Sequence, residues 1–231
     1  ILDKPNVSKE FFEAAREINI PIIWIDHHKT ESEIPDYVEY YNPVYGKKSS
    51  STPTTVLCYQ VSNTKDDLWL MVAGSVSDRF LPEEYPEFLK KYPELGVETE
   101  DPFDVYYKSE IGKVARIFSS GLKDRISNVV VMMKFLMKAD GPHDVLEEGK
   151  KNSLMHLRFN EINKKREKLI LKAKDCVEGN VLFFEYAGDV SMSSDLSNEL
   201  NYLYPDKIVV VVYISGERAN LSLRGKNVRD I

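Results

Sequence analysis

Apolar and polar positions at the start of the chain predict a strand, a helix and a second strand. Ile1–Asp3 has the composition of a strand end, and Lys9–Ile18 carries apolar residues at helical spacing behind Ser8, a favourable N-cap residue. Pro21–Ile25 is a continuous apolar run, which is typical of a parallel strand buried on both faces. Because strand, helix and strand follow one another so closely, we expect a βαβ unit with a parallel sheet and a right-handed crossover.

The middle of the chain has mainly helical periodicity, with interruptions rich in proline, glycine or acids. A polar loop that contains Pro35, Pro43 and Gly46 follows the second strand, and residues 81–104 are predicted to form an irregular connection. Helices are predicted over Pro53–Ser62, Asp66–Val76, Asp104–Leu122, Ile126–Lys138 and Asp144–Cys176.

The pattern changes to β periodicity after Gly179. The fold class is therefore α/β: a parallel-sheet domain joined by a long helix to a smaller α/β C-terminal domain. We predict a domain over residues 1–140, a helical linker over 141–178 and a domain over 179–231. The C-terminal elements are the strands Val181–Tyr186, Lys207–Ile214 and Ala219–Leu223 and the helix Asp195–Tyr204.

Composition narrows the class of protein. Hydrophobic residues make up 42% and charged residues 29% of the chain, the mix of an ordinary globular protein. The net charge of −6 argues against a generic nucleic-acid coat. No apolar run is long enough to span a membrane, and no segment has the pattern of a secretion signal. Cys58 and Cys176 are too few for a disulfide framework or a cysteine-rich zinc site, so we expect a reducing, cytoplasmic setting and no membrane partner.

Candidate chemistry lies where the first two strands end. Asp26, His27 and His28 directly follow the apolar run, and Asp3 ends the preceding strand. Ligands of open α/β sheets bind beyond the carboxyl ends of the strands, so these side chains should lie side by side. Asp78, which follows an apolar helix, is a third candidate. Carboxylates and imidazoles that converge in this way suit Mn²⁺, Mg²⁺ or Zn²⁺.

Each of these residues also has a structural explanation when taken singly. The Asp-His-His triplet could be a solvated turn, Asp3 could cap the following helix, and Asp78 could be a surface acid at a helix end. The position of the triplet directly after an all-apolar strand makes the metal-binding interpretation equal in weight to the solvated turn.

Asp3-Lys4-Pro5, Asp26-His27-His28 and Asp78 resemble three of the four ordered motifs of the DHH phosphoesterase superfamily. That superfamily includes RecJ-type exonucleases, nanoRNases, cyclic-dinucleotide phosphodiesterases and family II pyrophosphatases. Leu2–Pro5 and Ile111–Arg116 are most similar to the archaeal RecJ-like nucleases, some of which associate with replication or repair factors. The resemblance extends over nearly the whole chain.

The resemblance implies a role for each residue of the site. Asp3 corresponds to a carboxylate that bridges two metals, His27 to a ligand of one metal, and Asp78 to a further ligand of that metal. His28 corresponds to the residue that holds the scissile phosphate, and Asp26 to a residue that orients the neighbouring imidazoles. Two divalent cations are implied, and imidazole among carboxylates favours Mn²⁺ over Mg²⁺.

Two elements of the superfamily fall outside the chain. The first motif, an Asp-x-Asp element on an earlier strand, would precede Ile1, and a Gly-Gly-His segment would follow Ile231. The chain also opens without an initiator methionine. We therefore expect a piece of a longer protein in which the first motif completes a two-metal site; a metal-poor relative is the alternative.

The C-terminal segment resembles the first type of DHH-associated domain. Ala219–Gly225 is similar to the strand that lays polar residues beside the substrate backbone in that domain. By this resemblance Arg224 would clamp a phosphate, and Ser222 and Asn220 would donate hydrogen bonds. A surface strand with alternating polar residues is the structural alternative.

The expected function is hydrolysis of phosphodiester bonds in single-stranded DNA or RNA by an exonuclease that releases mononucleotides. The basic stretch at Lys164, Lys165 and Arg166 is explained most simply as a solvated helix face. The second explanation is a surface that guides single-stranded nucleic acid. The expected partners are single-stranded nucleic acid and, further, a replication or repair protein and a second copy of the chain. The alternatives are a nanoRNA or cyclic-dinucleotide phosphodiesterase and a catalytically silent replication or repair scaffold.

Overall fold

The computed structural model describes residues 1–62, 64–226 and 228. The α/β class predicted from the sequence is confirmed, because strands and helices alternate in both parts of the chain. The predicted domain boundaries stay a prediction, and the last residues of the predicted 179–231 domain lie outside the described residues. The chain forms two compact units: Ile1–Arg116 with Ala139–Glu147, and Ile117–Lys138 with Glu148–Ile231.

The sheet of the first unit is parallel, as predicted. β1 (Ile22–Ile25) pairs in parallel with β2 (Val38–Tyr41), and Leu2 forms a parallel bridge to Ile25. Asp3 N donates a hydrogen bond to Ile25 O at 3.1 Å and extends this contact. β1 therefore lies between the opening segment and β2, and the carboxyl ends of all three meet at one edge of the sheet.

The loop that the sequence predicts after β1 contains β2, so that part of the prediction is wrong. Val38 is buried and Tyr40 half-buried, but Glu39 and Tyr41 are exposed. A strand of only four residues with so little apolar area cannot be distinguished from a loop by its sequence pattern. The parallel pairing with β1 makes this segment a strand.

An apolar cluster holds α1 (Lys9–Glu17) against this sheet. α1 begins where Ser8 Oγ accepts a hydrogen bond from Phe11 N. Trp24 of β1 is fully buried, and its indole Nε1 donates to Lys4 O at 3.1 Å. The buried members of the cluster are Phe12, Ala15, Ile22, Trp24 and Val38.

Helices form most of the rest of the described chain. The prediction that residues 81–104 are irregular is wrong in part, because they contain a helix that begins at Tyr85. The helix predicted over Asp104–Leu122 is broken at Ser109, whose Oγ accepts a hydrogen bond from Gly112 N at 3.0 Å and caps the second piece. No described helix is long and apolar enough to cross a membrane. The helices after α1 are α2 (Thr54–Ser62), α3 (Leu68–Ser77), α4 (Tyr85–Lys91), α5 (Pro102–Lys108), α6 (Glu110–Gly121), α7 (Ile126–Leu136), α8 (Pro142–Leu146), α9 (Ser153–Lys174) and α10 (Ser193–Leu203).

Gly112 shows how tightly the two pieces pack. A Cβ atom at Gly112 would lie 2.2 Å from Val105 O and 2.3 Å from Tyr106 O. The backbones of α5 and α6 therefore approach one another more closely than any residue with a side chain permits.

The long helix predicted from Asp144 is also divided. α8 ends at Leu146, and α9 begins at Ser153 after a turn in which Gly149 N donates to Asn152 Oδ1 at 2.7 Å. The asparagine side chain takes the place of a helical carbonyl as the partner of this N–H, which ends the helical pattern locally.

The second unit contains a mixed sheet with helices against one face. The strand order is β3-β4-β5-β6, in which β4 and β5 are parallel and the outer pairs antiparallel. α10 connects β4 to β5, and it packs with α9 against the face that carries Leu182, Phe184 and Tyr186. The strands are β3 (Val177–Glu178), β4 (Val181–Ala187), β5 (Ile208–Ser215) and β6 (Arg218–Arg224).

Candidate metal centre

Asp26, the first residue after β1, is completely buried. Its N–H donates to Tyr41 O of β2 at 3.1 Å. Its Oδ1 accepts hydrogen bonds from His27 N at 2.7 Å and His28 N at 3.1 Å, and it lies 2.8 Å from His28 Nδ1. These contacts hold the triplet in a tight turn at the end of the sheet. Asp26 Oδ2 is buried and accepts no hydrogen bond within the described residues.

Asp3 reaches the same edge of the sheet from the segment before α1. Its φ of 53° lies in the left-handed region, which aspartate tolerates better than most residues. Its Oδ1 lies 3.2 Å from His27 Nε2 and 3.9 Å from His28 Nδ1. The same oxygen accepts a hydrogen bond from the hydroxyl of Thr54, at the start of α2, at 3.2 Å. Asp3 is thus held against both histidines of the triplet.

The imidazole of His27 is oriented by a backbone carbonyl. Its Nδ1 lies 3.4 Å from Ser51 O, and because a carbonyl can only accept, we assign the proton to Nδ1. Nε2 then carries the lone pair, and this atom is buried and makes no hydrogen bond within the described residues. A histidine whose second nitrogen is fixed in this way is prepared to bind a metal ion.

Asp78 approaches His27 from the end of α3. Its Oδ2 lies 3.9 Å from His27 Nε2, and its N–H donates to Ser75 O at 3.0 Å. Burial raises the pKa of Asp78, and the negative charge of Asp3 raises it further. His27 and His28 lower the pKa of Asp78, but by less than burial raises it. Two carboxylates so close together repel each other, and a bound cation would offset that repulsion.

The side chains of this cluster are close enough to share an ion. One ligand atom from each of Asp3, Asp26, His27 and His28 lies within 4.8 Å of the others, and Asp78 lies beside the same imidazole. The structure thus brings together all five residues that the sequence singled out here. Carboxylate oxygens and an imidazole lone pair form a donor set that fits a divalent cation. Two of these donor atoms, Asp26 Oδ2 and His27 Nε2, are buried without a hydrogen bond in the described chain.

Asn42 supports the triplet through a hydrogen bond to its backbone, and the sequence pattern does not predict this role. Asn42 is buried, and its Nδ2 donates to His28 O and to Tyr40 Oη, both at 2.7 Å. Its Oδ1 accepts from Val44 N at 3.0 Å and caps the turn that follows β2. The only sequence signal is an Asn-Pro pair after a short strand that was itself not predicted.

Replacing Asn42 with alanine is expected to loosen the metal centre without removing a ligand. The change leaves His28 O and Val44 N unpaired, so we expect a loss of about 1–3 kcal/mol in the free energy of unfolding. We also expect Mn²⁺ to bind roughly 10–100 times more weakly. Urea denaturation and calorimetric titration with Mn²⁺ measure the two effects.

Asn6→Ala is the control for this variant. Asn6 is an exposed asparagine that accepts a hydrogen bond from Glu31 N at 3.1 Å, so its loss should change unfolding by less than about 1 kcal/mol and Mn²⁺ affinity little. Equal Mn²⁺ affinity in the two variants would show that Asn42 does not position the triplet.

Asn220 and Ser222, expected near the substrate, lie on β6 in the second unit. Asn220 is exposed. Ser222 is half-buried, and its Oγ donates to Ser193 Oγ, at the start of α10, at 3.1 Å. Their role as substrate contacts stays a prediction.

Arg224 ends the same strand and is held by several acceptors. Its guanidinium donates from Nε to Asn198 Oδ1 at 2.7 Å, from Nη1 to Leu223 O at 2.7 Å and from Nη2 to Ser194 Oγ at 3.3 Å. Burial lowers the pKa of Arg224, but the ordinary value lies so far above neutrality that the group stays charged. Its geometry is therefore fixed, while its role towards substrate stays a prediction.

The basic stretch at 164–166 carries less free charge than its sequence suggests. Lys165 Nζ lies 2.8 Å from Asp189 and 3.2 Å from Glu161, and Arg166 forms an ion pair with Glu199. Two of the three cations are therefore committed to acids of the same unit, which favours the structural explanation of this stretch.

Two solved structures share the fold of this chain. The crystal structure of RecJ in complex with Mn²⁺ from Thermus thermophilus has a TM-score of 0.58 and 11% sequence identity over 92% of this chain. The crystal structure of exonuclease RecJ bound to manganese has a TM-score of 0.52 and 10% identity, also over 92%. This chain covers 35% of the first protein chain and 60% of the second. No protein-family model and no curated protein sequence matches it.

At such low identity the likeness establishes the fold alone. The chain has a fold found in RecJ, in the α/β class that its hydrophobic pattern predicts. Both of these RecJ structures hold manganese, and the cluster after β1 offers donors of the kind that this ion prefers.

Proposed function

We propose that this protein is a metal-dependent phosphodiesterase of the DHH superfamily, a cytoplasmic exonuclease that hydrolyses single-stranded DNA or RNA. The observation that carries the proposal is the convergence of two carboxylates on one buried imidazole nitrogen. His27 Nε2 lies 3.2 Å from Asp3 Oδ1 and 3.9 Å from Asp78 Oδ2. The likeness to two manganese-bound RecJ structures supports the same interpretation.

Asp3, His27 and Asp78 would hold the metal centre. Two hard carboxylates with one imidazole form a mixed donor set that suits Mn²⁺ best and Mg²⁺ second. When bound, a pair of such cations lowers the pKa of water and neutralises charge on the phosphate.

His28 would contact the scissile phosphate, and Asp26 would orient the imidazole of His28. Asp26 Oδ1 accepts from His28 Nδ1 at 2.8 Å, which leaves His28 Nε2 available to a phosphate oxygen. The side chain of His28 is 47% exposed and that of His27 only 11%. This difference supports separate roles for the two imidazoles, one as a metal ligand and one as a substrate contact.

Arg224, Ser222 and Asn220 would bind the sugar–phosphate backbone of the strand, as in a DHH-associated domain of the first type. Three of the five N–H donors of Arg224 bond to acceptors in the described chain, so the guanidinium is held in place. The other two donors remain for a phosphate. The segments Leu2–Pro5 and Ile111–Arg116 favour the archaeal RecJ-like branch. A role in DNA repair, with a replication or repair protein as partner, follows from that assignment.

The test is degradation of end-labelled single strands by the complete protein with added Mn²⁺. We expect a strand of about 20 nucleotides to be shortened stepwise to mononucleotides, and EDTA to stop the reaction. Faster hydrolysis of a dinucleotide than of the long strand would favour the small-substrate phosphodiesterase. Failure to hydrolyse either substrate, with Mn²⁺ shown to be bound, would contradict the enzyme and support a silent scaffold.

A further inference from the structure

The second unit contains a groove between α9 and the loop that follows β4. Its volume is about 430 Å³. Leu169, Tyr186, Val190 and Met192 form an apolar wall, and Leu171 at its rim is 64% exposed. A groove of this size and polarity, with an exposed leucine beside it, suits an apolar side chain of a ligand.

Lysines of α9 line one side of this groove. Lys165 is paired with Asp189 and Glu161, so its charge is compensated. Lys168 and Lys172 line the groove too, and neither forms an ion pair within the described residues. They lie one helical turn apart on α9, where like charges repel each other. An anion bound near both would relieve this repulsion.

The neighbouring acids on α9 do not supply that anion. Residues 150–174 contain nine Lys or Arg against two Glu. Glu161 is paired with Lys165, and Glu167 accepts a hydrogen bond from Asn163 Nδ2 at 2.8 Å. Charge complementarity therefore favours an acidic ligand that comes from another molecule.

We propose that this groove docks an acidic peptide segment of a partner protein. An apolar side chain of the segment packs between Leu169 and Met192, and its flanking carboxylates bind Lys168 and Lys172. The apolar contact supplies most of the affinity, while the lysines select acidic sequences and speed association. The proposal is independent of the proposed nuclease function, because none of these residues belongs to the metal centre.

A nucleic-acid strand fits the groove less well. Tyr186, the aromatic residue among the described lining residues, is buried, and its hydroxyl accepts a hydrogen bond from Met192 N at 2.6 Å. Its ring face is thus not free to stack on a base. None of the described lining residues is an arginine, the side chain that binds phosphate with two parallel hydrogen bonds. The concave, lysine-flanked shape also differs from the flat basic surface that an anionic membrane requires.

Fluorescence anisotropy with a labelled peptide tests the proposal. The probe is a peptide of about 12 residues in which Asp and Glu surround two leucines one helical turn apart. We expect saturable binding to the full chain that weakens as salt is raised. The variant carrying Lys168→Glu and Lys172→Glu should bind at least about tenfold more weakly, because each attraction becomes a repulsion. Leu171→Ser should weaken binding about threefold or more.

The matched control is the variant carrying Lys134→Glu and Lys138→Glu. Both lysines are exposed in the same unit, outside the groove, and the change in net charge is identical. We expect this control to bind within about twofold of the wild type. Equal weakening in the two double variants, or no saturable binding by the wild type, would overturn the proposal. Displacement of the peptide by a single-stranded oligonucleotide or by anionic vesicles, but not by unlabelled peptide, would overturn it in favour of that ligand.

Discussion

The His27→Ala variant is expected to hydrolyse a single strand more slowly than the wild type by a factor on the order of 10³ or more in the presence of Mn²⁺. His27 Nε2 is the buried nitrogen on which Asp3 and Asp78 converge, so its removal takes away the centre of the proposed metal site. Initial rates on an end-labelled oligonucleotide measure the effect, and circular dichroism checks that the fold is retained.

His143→Ala is the matched control, since it removes a histidine of the same unit that lies outside the cluster. The His143 side chain is 53% exposed and pairs with the exposed Glu94 at 3.1 Å, so activity should stay within about twofold. Asp3→Asn keeps an oxygen that can accept from Thr54 but removes the charge, and it should reduce the rate as severely as His27→Ala. Robust activity in both site variants would refute the assignment.

Replacing Phe12 with alanine is expected to lower the free energy of unfolding of the first unit by about 3–5 kcal/mol. Phe12 is 1% exposed, and its ring packs against Trp24 with the ring centroids 5.9 Å apart. Its removal leaves a cavity between α1 and β1 that the surrounding side chains fill only in part. Urea denaturation followed by tryptophan fluorescence reports on this unit, because Trp24 and Trp69 are the only tryptophans in the sequence.

Phe11→Ala provides the comparison at the neighbouring position of the same helix. Phe11 is 50% exposed and touches the Phe12 ring only edge-on, so its loss should cost about 1 kcal/mol or less. Similar costs at the two positions would mean that α1 does not pack on the sheet through the face that carries Phe12 and Ala15.

The convergence at the end of β1 could be predicted because it depends on a local pattern. An all-apolar run followed at once by Asp26 defines a buried strand and its functional end, and Ile1–Asp3 is read in the same way. Parallel pairing then brings both ends to one edge, so the 3.2 Å between Asp3 and His27 follows from two short segments.

The hydrogen bonds that position Asp3 and His27 could not be predicted, since their partners are distant in sequence. Thr54 donates to Asp3 across 51 positions, and Ser51 O orients His27 across 24. Both belong to a run of Ser and Thr over residues 49–55, whose sequence indicates first a helix cap and second a phosphate contact. Which of its atoms face the triplet depends on tertiary packing, for which the sequence carries no local signal.

The break between α5 and α6 was missed for a related reason. Helical periodicity continues through Ser109, whose hydroxyl competes for backbone hydrogen bonds in a way that periodicity does not detect. Gly112 then allows the two backbones to come into contact, which a residue with a Cβ would prevent. Side chains that bond to the backbone, rather than apolar spacing, determine these ends.

The proposed metal centre is tested most directly by a crystal structure of the protein grown with Mn²⁺, with diffraction data collected above the manganese absorption edge. We expect an anomalous peak bound by Asp3, His27 Nε2 and Asp78, at distances of about 2.0–2.3 Å from the ligand atoms. An anomalous map with peaks only elsewhere, or with none at saturating Mn²⁺, would contradict the proposed metal centre.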